Sequence, residues 1–198
     1  MTRHLLGSAL AVLVLSIPAV GSAQRVGAAT VVVVDTNRIS RECTACRTAQ
    51  TQLQSQVTSL QQRAQALSQP LQTEGQAIQT AVNALNGKQP DAALTQRIQA
   101  LQTRENTANQ ELNRLRQNLQ STQAHVSQQI SVRLNPIINQ VMTTRGGNVA
   151  VDAASTLAFS SALDITNDVL AQLNQQLPSV SVTPLPQQQQ TQQQNQGR

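Results

Sequence analysis

The chain has 198 residues, a formal charge of +5, 12% charged residues and one aromatic residue, Phe159. That length suits one domain. A large mixed core is excluded, because aromatic side chains supply much of the buried area in such cores. The charge is mild and spread out, with no basic block and no aromatic interleaving, so nucleic acid is not an expected partner.

Residues 1–23 have the shape of a secretory signal peptide. Met1-Thr2-Arg3-His4 is a short basic start, Leu5 to Ile17 is an apolar run, and Gly21-Ser22-Ala23 places small residues where a signal peptidase reads. Cleavage near Ala23 predicts an exported protein. The apolar run falls short of the ~20 residues that span a bilayer, and no later run is long and apolar enough, so no stable membrane insertion is expected.

Val31, Val32, Val33 and Val34 predict a strand. They do not alternate with polar residues, so both faces are expected to be covered. Asp35-Thr36-Asn37 then marks a helix start, with side-chain oxygens able to accept from free N–H groups. Helix is expected from Ile39 onward, running into a heptad seam: Leu53, Val57, Leu60, Ala64, Leu67, Leu71, Ile78, Ala81, Leu85. Pro70 predicts a kink or short break in it. Asn86-Gly87 ends the seam and Pro90-Asp91 opens a second: Leu94, Ile98, Leu101, Glu105, Ala108, Leu112, Leu115, Leu119. Two such helices around a turn at 86–91 predict an antiparallel coiled-coil hairpin over 47–144. The second is long enough to project from any compact domain of this size. The heptad shifts by a residue at Ile130, Leu134, Ile137 and Val141, where the arm is expected to join a body.

Arg145-Gly146-Gly147-Asn148 predicts a turn, Val149 to Ala153 a second short strand, and Leu157-Ala158-Phe159 a third. A short helix follows Asp164, with Thr166 as its expected cap, and ends at Leu177-Pro178. Residues 178–198 hold prolines and a glutamine tract and are read as a disordered tail.

Few side chains invite chemistry. Cys43 and Cys46 are a candidate disulfide, local or between subunits. Two reduced packing cysteines are the alternative, and redox or metal chemistry comes last, since both are expected inside a helix and zinc wants four ligands. Asp35, Asp152 and Asp164 sit at element ends where capping accounts for them. Glu74 and Glu105 are read as features of the seam, and His125 as a solvated arm residue. No phosphate loop, nucleophile elbow or triad order is present, so neither catalysis nor a cofactor is expected.

The fold class expected is mainly α: a helical hairpin arm on a small strand body contributed by residues 24–46 and 145–177. This chain resembles the OmpH/Skp family of periplasmic chaperones. The resemblance rests on the export signal followed by Val31 to Val34 and Asp35, on Asn148 to Ala153, and on Ala158-Phe159 followed by Leu163 to Leu170. It implies a homotrimer whose strands pool into one body, with Val31 to Val34, Val149, Val151 and Phe159 as oligomerisation residues. It also implies a periplasmic, ATP-independent holdase that keeps unfolded outer-membrane proteins from aggregating between its arms. Family arms are rich in lysine. Here the stretch from Arg47 to Arg145 carries nine basic and four acidic residues with one lysine. Arg63, Lys88, Arg97 and Arg104 are the candidate client-facing cations, with charge steering expected to be weaker. A structural or adaptor coiled coil of the envelope is the alternative.

Overall fold

The computed structural model describes residues 27–185. The expected signal peptide and the glutamine tract lie outside the described residues. Strand β1 (Val31–Val34) opens the fold and leads into the short helix α1 (Thr36–Glu42). Asp35 caps α1: its Oδ1 accepts from the N–H of Arg38 at 2.7 Å. Helices α2 (Thr44–Ala84) and α3 (Ala92–Thr144) form the arm. Strand β2 (Val149–Asp152) and helix α4 (Thr166–Gln176) complete the body.

The arm is long because its seam is long. At 1.5 Å per residue, the 41 residues of α2 and the 53 of α3 extend about 60 and about 80 Å. The surplus in α3 is its last turns, where Leu134, Ile137 and Val141 leave the seam and enter the body core. Along the arm the expected seam residues of α2 are the less exposed ones, and Ile78, Leu94, Ala108 and Val126 are buried. The tip turns through Asn86 and Gly87, both at positive φ, a conformation that glycine and asparagine adopt most readily. Asp91 then caps α3 by accepting from the N–H of Leu94 at 2.7 Å. Pro70 produces no break in the secondary structure: α2 is continuous through it, as α3 is through Pro136.

The body is a two-stranded parallel sheet in which Val31 pairs with Val149 and Val34 with Asp152. Parallel neighbours need a crossover, and here the whole arm is the crossover. Gly147 lets the chain enter β2, because a Cβ there would stand 2.8 Å from Val32 Cγ1. Val32, Val34, Ile39, Ile137, Val141, Ile165, Val169 and Leu173 pack into one core. Each fully buried aliphatic side chain of this kind contributes about 1.5–3 kcal/mol.

Two sequence expectations fail in the body. The segment Leu157–Phe159 is not a third strand. It lies between two single 3-10 turns, Ala153–Ser155 and Ser161–Leu163, whose starts are held by Asp152 and Ser160 side chains. The free edge of β1 is met instead at one point, where Ile165 N–H donates to Val33 O at 2.9 Å. Thr166 does not cap α4 either. Its hydroxyl accepts from Asp35 N–H at 2.9 Å, and Asp164 Oδ1 takes the Thr166 N–H at 2.8 Å. The hydroxyl thus ties α4 to the β1–α1 junction, a long-range use that local pattern does not reveal.

The last described segment also departs from expectation. Residues 178–185 were expected to be disordered with the rest of the tail. They run back along the arm and are hydrogen-bonded to both arm helices. Val180 packs on the body core and Leu185 is buried.

Candidate functional site

Three regions hold the residues singled out in the sequence: the junction of α1 and α2, the open side of the body, and the groove between the arm helices.

At the junction, Cys43 ends α1 and begins α2, so the two cysteines lie at a helix boundary and not inside one continuous helix. The extended backbone of Cys43 breaks the helix, and its sulfur accepts from Cys46 N–H at 3.2 Å. The two are joined by a local disulfide with Cα atoms 5.1 Å apart. Both are buried in the body core. The next free N–H, of Thr44, is taken by Asn174 Oδ1 of α4 at 2.9 Å. The bend therefore fixes where the arm leaves the body. No group of three or more metal-ligating side chains occurs among the described residues.

On the open side of the body, the valines divide by strand. Val32, Val33 and Val34 are already buried within the single chain. Their side chains are covered by the chain's own core, so any part they take in an assembly goes through the strand's backbone edge. Val151 is partly buried, whereas Val149 is 40% and Phe159 41% exposed. Leu157 is fully exposed, and Leu163, six residues on, is exposed as well. Asp152 anchors this stretch. It accepts from the Thr36 hydroxyl and from Ala154 N–H, bonds that hold its carboxyl below the usual carboxylate range. Arg145 and Asp168 pair across α3 and α4 nearby.

In the arm, the candidate cations are not four equivalent client contacts. Arg63 forms a two-pronged pair with Glu111 at 2.7 and 3.0 Å, and Arg97 pairs with Glu74 at 3.1 Å. These bonds join α2 to α3. The Arg63 guanidinium holds the Glu111 carboxyl below its ordinary range. Arg104 bonds the Ala100 carbonyl of its own helix at 3.4 Å, and Lys88 sits exposed in the tip turn. Glu74 is thus a cross-arm partner and Glu105 is exposed. His125 is not simply solvated: its Nδ1 is hydrogen-bonded to Thr183 O at 3.1 Å. Gln56 and Gln129, which sequence reasoning passed over, bond the same segment. No local signal distinguishes them from the other arm glutamines.

This architecture finds its match among known proteins. The model of the family described as Outer membrane protein (OmpH-like) matches residues 30–173, well over half of the chain. The chain belongs to the OmpH-like family. A solved structure, a candidate outer membrane chaperone (OmpH-like) from Caulobacter crescentus CB15, superposes with a TM-score of 0.65 at 18% identity. The match covers 83% of this chain and 95% of that one. At that identity the likeness shows a shared fold: long helical arms on a small body. The sequence matches no curated relative. The family match takes in the whole arm and both strands of the body, and stops within α4, short of the segment that returns along the arm. No helix among the described residues is long and apolar enough to cross a membrane.

Proposed function

We propose that this OmpH-like protein is a periplasmic holdase chaperone. It acts as a homotrimer that keeps unfolded outer-membrane proteins from aggregating between its arms, without ATP. Family membership supports the chaperone role. The observation that carries the rest is an unfinished body at the base of the arm. Two strands are too little sheet to stand alone, and β2 has no partner on its outer edge among the described residues. Val149 on β2 and Leu157 and Phe159 in the stretch that follows it stand exposed. Three copies joined there would cover this surface and set three arms around a shared space. The arm faces are rich in glutamine, threonine and asparagine, which offer many weak hydrogen bonds and few strong anchors. Such contacts hold many chains and release them.

The deciding experiment dilutes a urea-unfolded outer-membrane β-barrel protein into buffer with the purified protein and follows light scattering. Suppression at about one trimer per client is expected. Undiminished aggregation at a large excess would return the protein to the spacer or adaptor reading.

A further inference from the structure

After α4 the chain turns back and lies as an extended strap along the arm. Among the described residues, side chains of Gln129, Gln56, His125 and Ser121 hold it there through its main chain. Gln129 donates to Ser181 O at 3.0 Å and accepts from Ser181 N–H at 3.0 Å, as a neighbouring strand would. Gln56 of α2 donates to Val182 O at 2.9 Å. His125 meets Thr183 O at 3.1 Å, and Ser121 Oγ accepts from Leu185 N–H at 3.2 Å. The Ser181 and Thr183 hydroxyls bond only each other in this set.

The spacing explains why the fit persists over several residues. Gln129, His125 and Ser121 recur every four residues on α3, a rise of about 6 Å. Ser181, Thr183 and Leu185 recur every two residues of extended chain, about 6.6 Å. One helical turn of α3 therefore keeps step with two residues of any extended peptide. The groove also continues past the strap. Pro184 forms one wall of a space of about 500 Å3 whose other walls include Leu60, Leu115, Leu119 and the Arg63–Glu111 pair.

We infer that this groove is a site for extended polypeptide backbone, and that residues 178–185 are its resident occupant, displaced when an unfolded client binds. The inference rests on the holdase reading and gives it a contact surface. Recognition through main-chain groups is indifferent to client sequence, as a holdase requires. Leu185 is the strap's buried side chain at its far described end. The strap stays in place because it is tethered, which gives it a high effective concentration. A client that touches several arms outcompetes it, and the apparent affinity for client is lowered by the fraction of arms whose strap is closed.

The test compares the full chain, a chain ending at Val180, and Leu185→Ser. The truncation keeps Val180 on the body core, and the point variant releases the strap without touching the groove. Each is titrated into a fluorescent, urea-unfolded outer-membrane β-barrel protein, with helicity checked by circular dichroism. The chain ending at Val180 is expected to bind about tenfold tighter than the full chain, with Leu185→Ser shifted in the same direction. In the full chain the amides of Ser181 and Leu185 are expected to lose hydrogen-exchange protection when client is added. Equal affinity in all three proteins, weaker binding by both released forms, or unchanged protection would overturn the strap as a competitor while leaving a holdase. Absence of client binding by all three would overturn the holdase reading and the inference with it.

Discussion

Asp152 shows how one side chain can hold the body together and give it a pH dependence. Its carboxylate receives the Thr36 hydroxyl from the start of α1 and the Ala154 N–H from the turn after β2. Both bonds favour the charged form, so its folded pKa lies below the unfolded value of about 3.9. The unfolded state then binds the proton more readily. The contribution to stability is present above the unfolded value and is lost as pH falls through the depressed folded one. Asp152→Asn should lower stability to urea at neutral pH by about 0.5–1 kcal/mol, a small figure because the group is partly solvated. The difference from the parent should narrow between neutral and acid pH, as pH falls through the depressed folded value. A gap that stayed the same at both pH values would mean that the charge contributes nothing. The disulfide is a second residue-scale device. Closing so short a loop between Cys43 and Cys46 removes chain entropy worth about 2 kcal/mol, so Cys43→Ala/Cys46→Ala should lose about that much in denaturant melts, with the arm helices retained. A double variant as stable as the parent would leave the bend to packing and to the Thr44–Asn174 bond. The pair itself was visible in the sequence as a candidate disulfide. Its place at a helix boundary was not, because the break at Cys43 depends on α4 supplying Asn174 from 130 residues away.

At the scale of elements, the seams were the most legible part of the chain. Leucine spacing, Asn86-Gly87 and the Asp91 cap predicted the tip ends of both arm helices and the far end of α3 to within a residue or two, because these signals are local and mutually consistent. Pro70 predicts a kink or short break with the arm continuing, and the helix runs through it without a break. Leu67 and Leu71 on either side remain in the seam, and their packing outweighs one lost backbone bond. The ion pairs could not be read in advance, since partners 48 and 23 residues apart meet only once the register of the hairpin is set. They lead to an element-scale prediction. Arg63→Glu places two carboxylates together across the arm and should lower its thermal melting midpoint, read by circular dichroism. The exchange Arg63→Glu/Glu111→Arg should restore much of it. Both differences should shrink in about 1 M salt, where exposed charges are screened. An exchange variant as unstable as the single one would show that Arg63 acts through packing of its stem against the seam. The strap went unread for a related reason. Proline and glutamine composition argues for disorder when the segment is taken alone, and Gln56 and Gln129 are two among many arm glutamines until the returning chain selects them.

The whole molecule poses a problem of surface. Three of the four β1 valines are covered within one chain, so the surface left for the proposed assembly is β2 and the stretch after it. There Leu157 is fully exposed, Phe159 is exposed two residues on, and the outer edge of β2 is open among the described residues. An open, apolar strand edge invites pairing that never closes unless symmetry ends it, and a ring of three ends it with every edge used. The purified protein is therefore expected to sediment at three times the mass of one chain. Leu157→Asp and Phe159→Asp should each give a monomer that keeps its helicity, because neither side chain belongs to the buried core of the protomer. The same variants should lose suppression of client aggregation by far more than threefold in arm equivalents. Weak contacts on separate arms reinforce each other only when a common body holds the arms near one client. If the monomers held client as well as the parent does, arm for arm, the body would be a mere anchor and the groove alone would account for binding. If the parent itself were a monomer, the exposed face would belong to some other partner and the enclosed space between arms would not exist.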